Sequence, residues 1–160
     1  MLFPRLLLFS LLIMAPMAFM AQPKDVIKEK FYQAMSSNDL ALVESELQRL
    51  EKLGPAAELA HKGALIMKKA GLLEKVSDKL ETFKKGKEML EKAIVAKPAS
   101  AEFRFLRIMI QENAPSILGY GSNLEEDANM VGEKFHELPK EVQEAIVAYS
   151  KNSKILNTKS

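Results

Sequence analysis

The chain has 160 residues, of which 48% are hydrophobic and 28% are charged, as in an ordinary single globular domain. Its 23 Lys and Arg residues against 21 Asp and Glu leave a net charge of only +2, which excludes a nucleic-acid binder that relies on a basic field. Cysteine is absent, so disulfides and cysteine-linked lipid anchors are excluded, and the core alone must hold the domain together.

The first 21 residues have the layout of a secretory signal peptide. Arg5 precedes an apolar run over Leu6–Met14, and small residues then lead into a polar start. We expect cleavage after Ala21, although Phe19 stands where a small residue is typical. An uncleaved anchor is the alternative, but the apolar run is short for a membrane span, which needs about 20 residues. The expected location is therefore periplasmic or secreted, with membrane contact only during export.

Apolar residues then recur at helical spacing along the rest of the chain, and no alternating run typical of a strand interrupts them. Strong helix formers dominate, and Gly, Pro, Ser and Asp mark the expected helix ends. We expect Gly71 to end the third helix, Ser77 or Asp78 to cap the fourth and Ser100 to cap the fifth, while Ser122 and Glu125 fit a capping box for the sixth, with Asn123 as the competing cap. The seven predicted helices span 25–36, 40–53, 56–70, 78–96, 101–113, 124–136 and 139–151. We therefore predict an all-α domain over residues 22–152 and a short C-terminal tail over 153–160.

Two of these helices carry their anchors at the same spacing, 43 residues apart. In chain order, the anchors are Leu40, Val43, Leu47, Leu50 and Pro55 in the first copy, and Phe83, Gly86, Leu90, Ala93 and Pro98 in the second. Another amphipathic helix precedes each copy. The pattern therefore predicts repeated helix pairs, in which each pair buries its apolar stripe against the next.

The spacing over residues 83–98 resembles the second helix of a tetratricopeptide (TPR) repeat, which has an aromatic, a small, a large apolar, an alanine and a terminal proline residue at these intervals. Gly63 stands at the small-residue position of the preceding helix. The resemblance implies antiparallel helix pairs stacked as a short solenoid, with small residues where paired helices approach closely and a groove that holds a protein or peptide. The link over residues 71–77 is longer than the usual turn of that family, and an irregular helical bundle is the alternative.

A second resemblance covers residues 103–127, which are similar to short exported Bacteroidetes proteins of unknown function. It favours a Gram-negative periplasm and implies no activity.

The helix over residues 101–113 is apolar on most sides, which predicts a position in the middle of the fold. Arg104, Arg107 and Gln111 form its narrow polar stripe. The two arginines either form a structural salt bridge with the acids at 125–127 or line a partner-binding surface. Tyr120, in the glycine-containing loop 115–122, is the fourth candidate for contact with a partner.

The sequence contains no motif in which suitable residue types stand at the spacing that catalysis or metal binding requires. His61 and His136 are the only histidines, and HELP at 136–139 lacks the second histidine of a zinc-protease helix. The loop sequence GYGS lacks the lysine of a phosphate-binding loop. Acids at 125–127 are expected in the first turn of a helix without a cation. We therefore expect no cofactor, no metal and no catalytic residue.

The predicted function is that of an exported, non-catalytic binding or scaffold module of the cell envelope, with a protein or peptide partner and no nucleic acid. Self-association could complete the edge of so short an array. Two alternatives are a small-ligand-binding protein or enzyme that uses the 115–122 loop, and a purely structural envelope protein.

Overall fold

The structure is a computed structural model that describes residues 24–52 and 59–156. The expected signal peptide, Pro55 and the last four residues of the tail lie outside these ranges. Within them the chain forms seven α-helices and no strand, so the predicted all-α fold class is confirmed. The helices are α1 (Lys24–Ser36), α2 (Leu40–Lys52), α3 (Leu59–Leu72), α4 (Val76–Ala96), α5 (Ala101–Gln111), α6 (Leu124–Glu133) and α7 (Lys140–Ser150). Short 3-10 turns cover Ser116–Leu118 and Phe135–Glu137.

Successive helices pack as stacked pairs. Within the pairs, α1 contacts α2, α3 contacts α4 most extensively, and α5 contacts α6. Between the pairs, α2 packs on α3 and α4 packs on α5. The first helices of the pairs also contact one another in sequence, α1 with α3 and α3 with α5, and we call these three the first-helix row. This packing is consistent with a helical repeat-like arrangement.

The α3–α4 pair is held together where two glycines face each other. A Cβ atom placed on Gly63 would lie 2.7 Å from the carbonyl oxygen of Gly86, and one on Gly86 would lie 2.6 Å from the carbonyl oxygen of Gly63. A side chain at either position would therefore collide with backbone. Gly63 also faces Leu90, and Gly86 faces Met67, so the chain directions of the two helices are opposed.

The anchors predicted to pack within the repeat mostly lie in the core. The buried ones are Val43, Leu50, Gly63, Phe83, Gly86, Leu90 and Ala93. Leu47 is partly buried against this core, and Leu40 is partly exposed. Pro98 is exposed and follows the end of α4.

Some predicted helix ends are wrong. Gly71 does not end α3, because it remains helical up to Leu72, and α4 starts at Val76 without the predicted Ser77 or Asp78 cap. The α3–α4 link is therefore three residues long, and the long link expected over 71–77 is wrong. The predicted cap of α5 is confirmed, since the Ser100 hydroxyl accepts a hydrogen bond from the backbone N–H of Phe103.

The helix predicted over residues 124–136 ends early, and the segment Phe135–Glu137 turns as a 3-10 helix instead. Its predicted Ser122 capping box is also absent. Asn123 is the N-cap, and the Ser122 hydroxyl bonds to the Asn123 side chain. In the preceding loop, positive φ is found at Gly119, with a value of 57°, but not at Gly121.

The seventh helix returns to the start of the domain. α7 contacts α1, and the Tyr149 ring of α7 meets the Phe105 ring of α5 edge to face, with 5.8 Å between centroids. The residues after α7 stay on the domain, since Ser153 and Leu156 are buried. Residues 153–156, the last that the structure describes, therefore lie against the C-terminal end of α5.

Candidate functional site

The fifth helix is the centre of the domain, with nine of its eleven residues buried. Its polar side chains point to different neighbours. Arg104 and Arg107 reach α6, while Glu102 reaches α1 and α3, and Glu112 at its end reaches the C-terminal residues. Three polar clusters therefore share one helix.

The first of these, the Asp127 cluster, comprises Arg104, Arg107, Asp127, Glu91 and Tyr120. Asp127 is completely buried at the start of α6. Its carboxylate accepts hydrogen bonds from Arg107 Nε at 2.6 Å and Arg107 Nη2 at 2.8 Å, and from Arg104 Nη1 at 3.1 Å. The bidentate geometry is the strong form of an arginine–carboxylate pair. The acids at 125–127 thus supply a buried partner to both arginines.

Burial alone would lower the pKa of Arg107, but its hydrogen bond to Asp127 and the charges of Asp127 and Glu91 outweigh burial and raise it. Arg107 Nη1 lies 2.9 Å from Glu91 on α4, and Arg104 Nη2 donates to the carbonyl of Pro98 at 3.1 Å. The cluster therefore fastens α4, α5 and α6 together.

Tyr120 joins this cluster from the loop. Its hydroxyl donates to Glu91 Oε1 at 2.5 Å, its ring meets that of Phe83 edge to face, and Lys87 Nζ lies 4.9 Å from the ring centroid. Burial, followed by the hydrogen bond and charge of Glu91, raises the pKa of Tyr120. The side chain is only 7% exposed, so it packs against α4 instead of lining an opening.

Gln111 is the last member of the predicted polar stripe. It is 5% exposed, and among the residues that the structure describes neither its amide nitrogen nor its amide oxygen has a hydrogen-bond partner. All four residues predicted to contact a partner, Arg104, Arg107, Gln111 and Tyr120, are therefore buried. Three of them are engaged in one internal network.

The second cluster, the Glu102 cluster, comprises Glu102, Lys28, Tyr32 and His61. Lys28 Nζ donates to both oxygens of Glu102 at 3.0 and 2.8 Å. The Tyr32 hydroxyl donates to Oε1 at 3.3 Å, and His61 Nε2 lies 2.9 Å from the same oxygen. Because these residues come from α1, α3 and α5, one carboxylate connects the whole first-helix row.

The pKa of Glu102 reflects these contacts. Burial alone would raise it, but the hydrogen bond and charge of His61, and then those of Lys28, outweigh burial and lower it from 4.5 to about 2. Aromatic rings enclose the histidine, with Phe31 at 4.6 Å and Phe103 at 6.2 Å between centroids. Such a carboxylate is held ionised and suits a structural connection better than proton transfer near neutral pH.

The third cluster fixes the C-terminal residues. Glu112 Oε2 accepts a hydrogen bond from the Ser153 hydroxyl at 2.7 Å. Glu112 Oε1 accepts hydrogen bonds from the backbone N–H groups of Lys154 at 2.8 Å and Ile155 at 3.2 Å. Asn113 Nδ2 donates to the Tyr149 hydroxyl at 3.1 Å. The α7 seat, by which we mean α1, Phe105 and Glu112, thus holds one helix and the turn after it.

The remaining surface and side-chain groups of the described residues give little indication of a ligand, metal or membrane site. A shallow groove of about 350 Å³ lies on the solvent side of α7, beside Phe135 and Val147, and contains none of the predicted site residues. In the part of the chain that the structure describes, no group of three or more His, Asp or Glu side chains is arranged to hold a metal ion. None of the helices within 24–52 and 59–156 is both long and apolar enough to cross a membrane.

The residues that organise these clusters were mostly not predicted. Glu91, Glu102 and Glu112 have the sequence context of ordinary helix-surface acids, and no motif marks them. The apolar sides of α5 could have indicated that a charged residue on it needs a buried partner. Comparisons of the chain with protein-family models, with curated proteins and with solved structures find no match.

Proposed function

We propose that the protein is an exported, non-catalytic, TPR-like module that binds a protein or peptide partner, with the first-helix row as its scaffold. The observation that carries the proposal is the α7 seat. A surface built on the first-helix row already receives an amphipathic helix, through ring contacts, an amide and a carboxylate that accepts backbone N–H groups. Apolar contacts to a helix combined with hydrogen bonds to backbone N–H groups are the means by which peptide-binding domains hold a polypeptide.

The charges of the domain also support a protein- or peptide-binding function. The arginines and the buried carboxylates neutralise one another inside the Asp127 cluster, so they offer no free anion site. The alternative based on the 115–122 loop has less support, because Tyr120 is buried against Phe83 and bonded to Glu91. Non-covalent binding by the helix faces remains the better-supported mechanism.

The proposed function is tested with a tagged form of residues 22–160, used to recover proteins from the envelope fraction of the source cells. We expect a protein that, once purified, binds the domain again with a micromolar dissociation constant. Recovery of nothing above background, together with a small molecule that raises the melting temperature, would instead support the ligand-binding alternative.

The proposed export has its own test. The intact mass of the protein isolated from cells should correspond to a chain that starts at residue 22. A mass that includes residues 1–21 would reject the cleavage and favour a membrane-anchored protein.

A further inference from the structure

The seventh helix is the least embedded of the helices α2 to α7. It buries only Val142 and Ile146, whereas α3 buries seven residues and α5 buries nine. Val147 on its outer side is 50% exposed. Its one ion pair among the described residues, between Lys140 and Glu144, stays within the helix. The apolar area that retains α7 on the domain is therefore small.

Polar anchors concentrate at its C-terminal end. The Tyr149 hydroxyl meets Asn113, and Glu112 holds Ser153, Lys154 and Ile155. Hydrogen bonds to a charged carboxylate are stronger than those between neutral groups. Glu112 is thus the main polar group that keeps α7 and its following turn in place.

The segment before α7 has the extended backbone of a connection between helices. Leu138 and Pro139 are both extended, with ψ of 152° and 149°, between the turn Phe135–Glu137 and α7. A short extended connection that ends in proline separates the helix from α6 and is a suitable hinge position.

We propose that α7 occupies the protein's partner-binding surface in cis, and that the partner inserts an amphipathic helix into the α7 seat when the Glu112 contacts release α7. This inference rests on the proposed function and adds the kind of partner to it. The site is the α7 seat, and the competing ligand is part of the same chain.

The chemistry of α7 describes the partner. Val142 and Ile146 require aliphatic residues at positions i and i+4. Tyr149 requires a tyrosine at i+7, because its ring meets Phe105 and its hydroxyl accepts a hydrogen bond from Asn113. Ser153, at i+11, requires a hydroxyl where the helix has ended and two backbone N–H groups can reach Glu112. A partner helix with this spacing would reproduce every polar contact that α7 now makes with α5 and its C-terminal end.

The test uses a fluorescent synthetic peptide of residues 139–156 as the probe and the mature chain as the receptor. Ser153→Ala leaves the seat intact and removes the hydroxyl that donates to Glu112 and accepts the backbone N–H groups of Ile155 and Leu156. Glu112→Gln removes the charge of the seat itself, which the probe also contacts. Glu144→Gln is the matched control, because that carboxylate is exposed on α7. A probe in which Val142 and Ile146 are replaced by serine controls for non-specific binding.

We expect the probe to bind the Ser153→Ala chain about tenfold more tightly than the wild-type chain, because the probe keeps its serine and Glu112 while the tethered competitor that masks the surface has lost its contact with that carboxylate. Glu112→Gln removes the same contacts from α7 and from the probe, so it should not tighten probe binding, and Glu144→Gln should match wild type. Amide hydrogen exchange over 140–150 should accelerate in both Ser153→Ala and Glu112→Gln, while exchange in α3 and α4 stays slow and shows that the domain is folded.

Three results would overturn the inference. Unchanged exchange in both variants, together with unchanged affinity of the Ser153→Ala chain for the probe, would show that the Glu112 contacts do not retain α7. Faster exchange with no binding beyond that of the serine-substituted probe would show that the seat does not accept a helix in trans. Dimers of the Glu112→Gln chain in light scattering would make a second copy the occupant.

Probe binding without any protein recovered from the envelope would reject the proposed function alone. The helix-accepting property of the α7 seat would still stand.

Discussion

Asp127 is the side chain on which the α5–α6 contact depends most. It is fully buried and faces two arginines, so the desolvation of three charged groups is offset by one compact set of hydrogen bonds. Replacing a whole buried ion cluster with apolar residues can be harmless, but removing one partner leaves uncompensated charge behind.

We therefore expect Asp127→Asn to lower the free energy of unfolding by about 3–5 kcal/mol, because Arg104 and Arg107 would lose their shared anion. Glu126→Gln is the matched control. Glu126 is 63% exposed and lies 3.7 Å from Arg104, so its change should stay within about 0.5 kcal/mol. Urea denaturation followed by circular dichroism measures both, and equal losses would contradict the assigned role of Asp127.

The close contact between Gly63 and Gly86 leads to a second prediction about single residues. A methyl group at Gly86 would sit 2.6 Å from backbone oxygen and 2.8 Å from backbone nitrogen, so α3 and α4 would have to move apart. We expect Gly86→Ala to destabilise the domain by at least about 2 kcal/mol. Gly71→Ala is the control, because nothing lies within 4 Å of its added methyl group and alanine favours a helix, with a gain of up to about 1 kcal/mol. Thermal melting of both variants decides the matter, and a stable Gly86→Ala chain would refute the close contact.

The sequence predicted the roles of some of these residues and not of others. The TPR-like spacing indicated that the helices carrying Gly63 and Gly86 approach each other closely, because a small residue at each position leaves room for the other helix. Arg104 and Arg107 on an apolar helix required partners, and the acids at 125–127 were the evident ones. Glu102 and Glu112 could not be singled out, since an acid near a helix end is most simply explained by the helix dipole or by solvent.

At the scale of elements, the first-helix row depends on the Glu102 cluster. Each first helix contributes a partner to one carboxylate: Lys28 and Tyr32 from α1, His61 from α3, and Glu102 itself from α5. A single ionised group can hold three helices in register because its two oxygens accept several hydrogen bonds at once.

This cluster predicts a pH dependence. The folded-state pKa of Glu102, about 2, lies below the unfolded value near 4.5, so its stabilising effect is present above about pH 4.5 and is lost as the pH falls toward 2. We expect wild type to exceed Glu102→Gln in unfolding free energy by roughly 3 kcal/mol at pH 7, with the difference narrowing over that acid window. Glu29→Gln, at an exposed position of α1, should show no such narrowing. Denaturant titrations between pH 2 and pH 7 provide the measurement, and parallel curves for wild type and Glu102→Gln would contradict the prediction.

Helix existence was predictable, whereas helix ends were less so. Apolar periodicity identified all seven helices, because each buries a stripe that recurs every three or four residues. The wrongly predicted helix ends lie where a residue that can end a helix is exposed and can equally stay helical. Gly71 is exposed and remains in α3, and the turn Phe135–Glu137 replaces the last part of the predicted sixth helix. A glycine or a polar residue permits a helix end without requiring one.

At the scale of the whole molecule, the contact between α7 and α1 joins the two ends of the domain. Periodicity showed that α7 has an apolar stripe, but a stripe does not specify which neighbour covers it. The partners of α7 are set by long-range contacts, from Tyr149 to Phe105 and from Ser153 to Glu112, that no local spacing encodes. The sequence therefore did not indicate that α7 packs against α1 and Phe105.

The uneven burial predicts a gradient of local stability in the wild-type chain. Amides in α3, α4 and α5 should exchange only on global unfolding, because these helices bury seven, five and nine residues, and α3 meets α4 at the facing glycines. Amides of α7 should exchange earlier, through a local opening, since this helix buries two residues and is otherwise retained by the Tyr149 contacts and the Glu112 contacts at its end. Native-state hydrogen exchange in low urea separates the two classes by the free energy at which each exchanges. Exchange of α7 and α4 at the same free energy would mean that the domain opens as a single unit, and α7 could then leave its seat only by unfolding the protein.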